Sequence, residues 1–233
     1  MVSSKNPGND NLIICGIDEA GRGPVFGPMI ICGLCFYKNQ LGFLKKIGVK
    51  DSKKLTSKKR KELSVIIRQN AFKVKLAEVS VKEIDQREKK NLTLNQIEEF
   101  YMSKLINDLK PDIIYIDAAD VNEQRFAKSI KKLLDYTPNK IIAEHKADDI
   151  YPIVSASSII AKVERDLFIE QLKRKFGDFG SGYPSDMKSI EFLRNWILSN
   201  NQIPPFARRS WQTTRKILDT ELKNRKITEF TRL

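Results

Sequence analysis

Apolar residues along this chain bunch into short runs that stop at glycine or charge, and between the runs they recur every three or four positions. LIICGID (12–18) is a short apolar run ending at a glycine-rich turn, the pattern of a buried strand. MIICGLCFY (29–37) reads as a second strand, and FKVKLAEVSV (72–81) alternates at period two as a half-buried third. DIIYID (112–117) and KIIAE (140–144) give a fourth and a fifth. TLNQIEEFYMSKLIND (93–108) places Leu94, Ile97, Tyr101, Leu105 and Ile106 on one face of a helix. NEQRFAKSIKKLLDY (122–136) is similar, and in PIVSASSIIAKVERDLFIEQLKRKF (152–176) Ile153, Ala156, Ile160, Val163 and Leu167 step by three and four.

Three strands followed by helix–strand–helix–strand–helix predict an α/β fold. Its five-stranded mixed sheet would join an antiparallel meander to parallel strands through crossover helices. After GDFGSGYPSD (177–186) the pattern is wholly helical, with IEFLRNWIL (190–198) and WQTTRKILDTELKNR (211–225). The expected division is an α/β core over 1–176 and a C-terminal helical domain over 177–233.

Charge narrows the function. Forty-two Lys and Arg against 29 Asp and Glu leave a net charge of +13 in 233 residues, a field that attracts polyanions. No apolar run approaches the roughly 20 residues that span a bilayer, and no signal peptide opens the chain. A cytoplasmic protein that meets nucleic acid rather than membrane is expected, with MVSSKNPGND as a frayed leader. Cys32 and Cys35 form a C-x-x-C, but both fall inside an apolar run without a second pair, so with Cys15 they read as small core residues.

Two of the apolar strands end in acid: LIICGID in Asp18, with Glu19 next, and IIYID in Asp117. Carboxyl ends of neighbouring parallel strands lie side by side, at the edge where open α/β sheets bind ligands. Asp148 and Asp149 fall in the turn after the fifth strand, which returns to that edge. Carboxylates gathered in a basic protein repel one another unless cations join them, and magnesium or manganese suits an all-oxygen site. Two such ions about 4 Å apart can serve phosphodiester chemistry. The glycines of GRGPVFG are spaced G-x-G-x-x-x-G and lead into a strand, unlike a dinucleotide fingerprint. Asp120 has the spacing of a helix N-cap with Glu123 at N3. Asp149 could cap the following helix, which leaves Asp148 as the ligand candidate.

DEAGRGP, DSKKL, an apolar strand ending in Asp, HKADDIYPIVSASSIIAKVERD and GSGYPSD occur in that order. Together they closely resemble ribonuclease HII, the type 2 ribonuclease H, in its archaeal single-chain form, from Ile14 to about residue 215. The resemblance implies an RNase H-like catalytic domain followed by a helical substrate-binding domain. It implies metal-dependent cleavage of the RNA strand of RNA–DNA hybrids and of single ribonucleotides in duplex DNA, with two Mg²⁺ or Mn²⁺ ions on Asp18, Glu19, Asp117 and Asp148. Gly21, Arg22 and Gly23 match the element that recognises the ribose 2′-hydroxyl, mainly through backbone contacts. Tyr183 matches the tyrosine that lies against the DNA-side sugar at the junction. Type 3 relatives are disfavoured, because only about a dozen residues precede the first strand and the fourth acid is Asp148, where they have Glu.

Between Lys45 and Lys61, nine of seventeen residues are Lys or Arg. Lys53 of DSKKL is the foremost candidate phosphate contact, and Arg22, Lys146 and Arg165 flank the acidic motifs. His145 stands apart from the catalytic set, as a structural residue or a proton shuttle. A clamp-binding box of Gln, an aliphatic and paired aromatics is not evident in KNRKITEFTRL, so tethering to a sliding clamp is not expected. A monomer is expected. The competing readings are a non-catalytic nucleic-acid-binding protein, which would bind without metal and never cut, and a related-fold resolvase, which would cut branched DNA without ribose.

Overall fold

The computed structural model describes residues 11–49 and 55–230. The leader MVSSKNPGND and the stretch 50–54, which holds Lys53, lie outside them. The five strands are β1 (Ile13–Ala20), β2 (Met29–Tyr37), β3 (Lys73–Val79), β4 (Ile113–Asp117) and β5 (Lys140–Glu144), in the sheet order β3-β2-β1-β4-β5. β1 runs antiparallel to β2 and parallel to β4, and β4 runs parallel to β5. The sheet is therefore mixed, as the pattern predicts. β1 and β2 are apolar almost throughout because inner strands are covered on both faces. β3 stands at an edge, is largely exposed, and accordingly alternates.

The helices between strands depart from the sequence reading in four places. Two of them, α1 (Leu41–Lys46) and α2 (Ser57–Asn70), lie in the connection between β2 and β3, although β1, β2 and β3 remain sequential neighbours in the sheet. Thr56 caps α2 by accepting from the Lys59 N–H (3.2 Å), so the last four basic residues of the Lys/Arg-rich run, Lys58, Lys59, Arg60 and Lys61, fall at the start of that helix. Ser80 and Val81 do not continue β3, which ends at Val79: Ser80 and Glu83 form a reciprocal capping box that starts α3 (Val81–Gln86). The cap of α5 (Glu123–Lys132) is Asn122, not Asp120. Asp120 instead pairs with Arg125 and accepts the Asn122 N–H (2.8 Å), which holds its carboxyl down at about 2. Finally, Asp148 and Asp149 belong to a one-turn helix, α6 (Ala147–Ile150), so Asp149 does not cap α7 (Pro152–Phe176). Pro152 opens α7, where its missing N–H costs no bond. α4 (Leu94–Leu109), α8 (Met187–Asn200) and α9 (Gln212–Phe230) complete the α-helices among the described residues.

The chain divides into two compact units. The first comprises the described residues up to Ala20, Ile30–Glu78 and Leu94–Arg165. Its core joins Ile14, Leu34 and Phe36 of the sheet to Leu63 and Ile67 of α2 and to Val154 and Ile160 of α7. Gly16 decides how closely α7 approaches: a Cβ there would stand 2.4 Å from the Ile153 carbonyl oxygen and 2.8 Å from the Val154 nitrogen. Only a residue without a side chain lets the first turn of α7 rest on the middle of β1. Cys15, Cys32 and Cys35 are buried and unbridged, and burial pushes the Cys15 and Cys32 thiols up, away from the reactive thiolate.

The second unit comprises Gly21–Met29, Val79–Thr93 and the described residues from Asp166 onward. Its core is aromatic. Phe26 meets Phe179 and Phe206 edge-on, with ring centroids 5.1 and 5.4 Å apart, and Leu193, Ile197 and Ile217 pack around them. Among the described residues no helix is long and apolar enough to cross a membrane.

Candidate functional site

The acidic residues lie in the first unit, at the carboxyl ends of β1 and β4. Ile17 pairs with Ile116 in parallel register, so the next residues, Asp18 within β1 and Asp117 at the end of β4, lie side by side where the pairing of these two strands stops. Asp18 is buried, on the strand face that carries Gly16 and is covered by α7. Burial pushes its carboxyl well above the usual range, and the charges of Glu19 and Asp117 push it further. The Lys162 ammonium and the Ser158 hydroxyl pull the other way; the hydroxyl approaches Asp18 without good hydrogen-bond geometry. Asp18 also accepts the Glu19 N–H at 2.7 Å, which ties the two acids' backbone and side chain together.

Asp117 reaches the third acidic segment. Its carboxylate accepts the Ala147 N–H at 2.8 Å, so the first turn of α6 hangs from the end of β4. Lys146 makes that turn possible by adopting a left-handed backbone (φ 55°), and Asp148 follows two residues later. Asp148 is buried and its neighbour Asp149 exposed. Glu19 and Asp117 come within electrostatic reach of Asp18 without forming a closed cage: among the described residues no three His, Cys, Asp or Glu side chains converge tightly enough to hold an ion. The donor set is nonetheless all carboxylate oxygen, the chemistry of a hard divalent cation, and such a cation would relieve the repulsion among Asp18, Glu19 and Asp117.

The flanking basic residues separate. Lys146 is exposed, whereas Arg165 is only 6% exposed. His145 is tethered at the surface. Its N–H donates to Glu123 (2.6 Å), and its ring nitrogens face the Ala118 and Val121 carbonyls at 3.3 and 3.4 Å.

Gly21, Arg22, Gly23 and Tyr183 belong to the second unit, and the structure brings them together there. Gly21 has φ 91°, a conformation that favours glycine. The Tyr183 ring lies over Gly23, 3.8 Å from where a Cβ would stand. Val25 donates to the Gly182 carbonyl at 2.7 Å, which joins the two glycine loops beneath the ring. The Tyr183 loop is held in turn by Asp186, the cap of α8, which accepts the Ser181 N–H and hydroxyl (2.5 and 2.8 Å).

Sequence reasoning passed over Ser158 and Lys162. Their i, i+4 spacing in SASSIIAK, one turn on from the residues that would rest on Gly16, was the available signal. It also passed over Arg208, one of 42 basic residues, which carries no pattern of its own.

Comparison with known proteins places the chain. The family model for ribonuclease HII matches residues 15–214. A ribonuclease HII of Methanosarcina barkeri is 49% identical over 220 residues, covering 91% of this chain and 97% of the relative. Two solved structures are similar. The ribonuclease H2 of Pyrococcus horikoshii has a TM-score of 0.85 at 44% identity, covering 90% of this chain and 98% of that one. The ribonuclease HII of Archaeoglobus fulgidus, solved in complex with PCNA, has a TM-score of 0.79 at 43% identity, covering 86% and 96%.

Proposed function

The chain belongs to the ribonuclease HII family, and from that premise we propose that this ribonuclease H cuts RNA–DNA hybrids and also cleaves 5′ to single ribonucleotides embedded in duplex DNA. It would thereby remove ribonucleotides during DNA replication and repair. Asp18, Glu19, Asp117 and Asp148 would hold two divalent ions, Mg²⁺ or Mn²⁺. When bound, these supply activation of the attacking water and neutralisation of charge on the leaving oxygen. The observation that supports this assignment is the buried Asp18 carboxyl, crowded by Glu19 and by Asp117 of the neighbouring parallel strand.

The chain's own residues have distinct tasks in this reading. Lys162 and Ser158 orient Asp18 on its α7 side. The backbone of Gly21, Arg22 and Gly23 meets the ribose 2′-hydroxyl, which both donates and accepts and separates RNA from DNA. Tyr183 lays its half-exposed ring against the sugar at the junction. Arg22, Lys53 and Lys146 engage phosphates, which position the duplex without reading sequence.

The test is substitution of the acids. Asp18→Asn, Glu19→Gln, Asp117→Asn and Asp148→Asn should each lower Mg²⁺- or Mn²⁺-dependent cleavage by at least about a hundredfold, with the thermal melt unchanged or raised. Full activity in Asp18→Asn would overturn the assignment.

A further inference from the structure

Arg208 is wholly buried, although arginine is among the residues least often hidden. Its guanidinium is spent on one loop. Nε donates to the Gly27 carbonyl (3.0 Å), one terminal nitrogen to the Arg22 carbonyl (2.8 Å) and the other to the Gly21 carbonyl. The next carbonyl, that of Gly23, accepts from Trp211 Nε1 (3.0 Å), and the Arg208 guanidinium lies over the Trp211 ring at 4.6 Å. Three consecutive carbonyls of the GRG segment therefore face one cationic, aromatic support. The Arg208 N–H closes the frame by donating to Val25 (2.8 Å).

The support is itself fixed. Asp85 of α3 accepts the N–H groups of Arg209 and Ser210, both at 2.9 Å. Arg87 donates to the Ser210 hydroxyl (2.6 Å) and lies 5.0 Å from the Trp211 ring centre. Rigid planar donors of this kind lose little freedom on bonding, and a charged donor makes each bond stronger than a neutral one would.

The consequence follows from peptide geometry. All peptide bonds described are trans, and in a trans peptide the N–H points opposite to the carbonyl of the preceding residue. Holding the Gly21 and Arg22 carbonyls on Arg208 turns the N–H groups of Arg22 and Gly23 to the other side of the segment. Pro24, next in line, has no N–H to offer. We propose that Arg208, with Trp211, is the positioning element that aims the Arg22 and Gly23 amides at the ribose 2′-hydroxyl and so sets the discrimination of ribonucleotide from deoxyribonucleotide. This rests on the ribose-reading role given above to the GRG segment.

Arg208→Lys keeps the charge but cannot reach three carbonyls, and Trp211→Phe keeps the ring but loses the bond to Gly23. The readout is the ratio of affinities, by fluorescence anisotropy, for a duplex with one embedded ribonucleotide and the same duplex in DNA, in Ca²⁺ and in EDTA. Loss of folded protein weakens both affinities equally and leaves the ratio unmoved. The wild-type chain should prefer the ribonucleotide. Arg208→Lys should erode that preference about tenfold and Trp211→Phe about threefold, with affinity for the all-DNA duplex within about twofold of wild type. An unchanged ratio in folded Arg208→Lys would overturn the proposal while leaving the ribose-reading role intact. If Arg208→Lys does not fold, Trp211→Phe decides by the same criterion. A wild-type ratio near one in both conditions would instead remove the ribose-reading role on which the proposal stands.

Discussion

Gly16 and Asp18 are two residues apart on one strand face, and each owes its identity to α7. At Gly16 the helix backbone lies where a side chain would be, and at Asp18 the same helix presents Ser158 and Lys162. Gly16→Ala must push backbone atoms apart, at a cost of about 1–3 kcal/mol. Gly33→Ala meets only the flexible end of Leu109, at 2.7 Å, which can turn aside. Thermal unfolding should therefore show a much larger fall for Gly16→Ala, accompanied by loss of activity as Ser158 and Lys162 move from Asp18. Equal losses from the two substitutions would contradict this account of the approach. At this scale the sequence was readable where chemistry is written in residue type, as in the acids that end apolar strands. Arg208 was not readable, because an arginine's value here depends on three carbonyls about 180 residues away in sequence.

Among the elements, the strands and long helices were legible because burial imposes a period on the residues that form them. The bounds of β2, β5 and α7 coincide with the runs that predicted them. The short helices α1, α3 and α6 were missed because one turn or two is too brief to show a period, and capping residues decide it. Ser80 makes the point: it captures the Glu83 N–H three residues on and starts a helix where the apolar pattern reads strand. Caps also carry a pH signature. The Ser181 N–H and hydroxyl hold the Asp186 carboxyl down at about 2, against about 3.9 for an unfolded aspartate. A depressed folded pKa adds stability that is full above the unfolded value and is lost as pH falls toward the folded one. Acid unfolding should therefore steepen from about pH 4 to pH 2. Asp186→Asn should flatten that slope without abolishing it, since Asp120 and Asp178 are depressed as well. An unaltered slope in a pH series of melts would refute the role of this cap.

For the whole molecule, composition pointed to a polyanion and the ordered motifs to a family, and the family comparison covers residues 15–214. The bulk charge of +13 makes a quantitative claim. A protein that neutralises about six phosphates loses roughly a thousandfold in duplex affinity between 50 and 200 mM salt. A salt titration of duplex binding should show a fall of that order, and a flat response would mean that the charge does not meet the substrate. The central claim is that a carboxylate metal site cuts where a backbone loop finds a ribose. It is tested most directly with three end-labelled duplexes: all DNA, DNA with one embedded ribonucleotide, and an RNA–DNA hybrid, each with Mg²⁺, Mn²⁺ or EDTA. The account predicts metal-dependent cleavage immediately 5′ of the single ribonucleotide and within the hybrid, with all-DNA untouched and EDTA lanes blank. Cleavage of the all-DNA duplex, or cleavage that persists in EDTA, would contradict it.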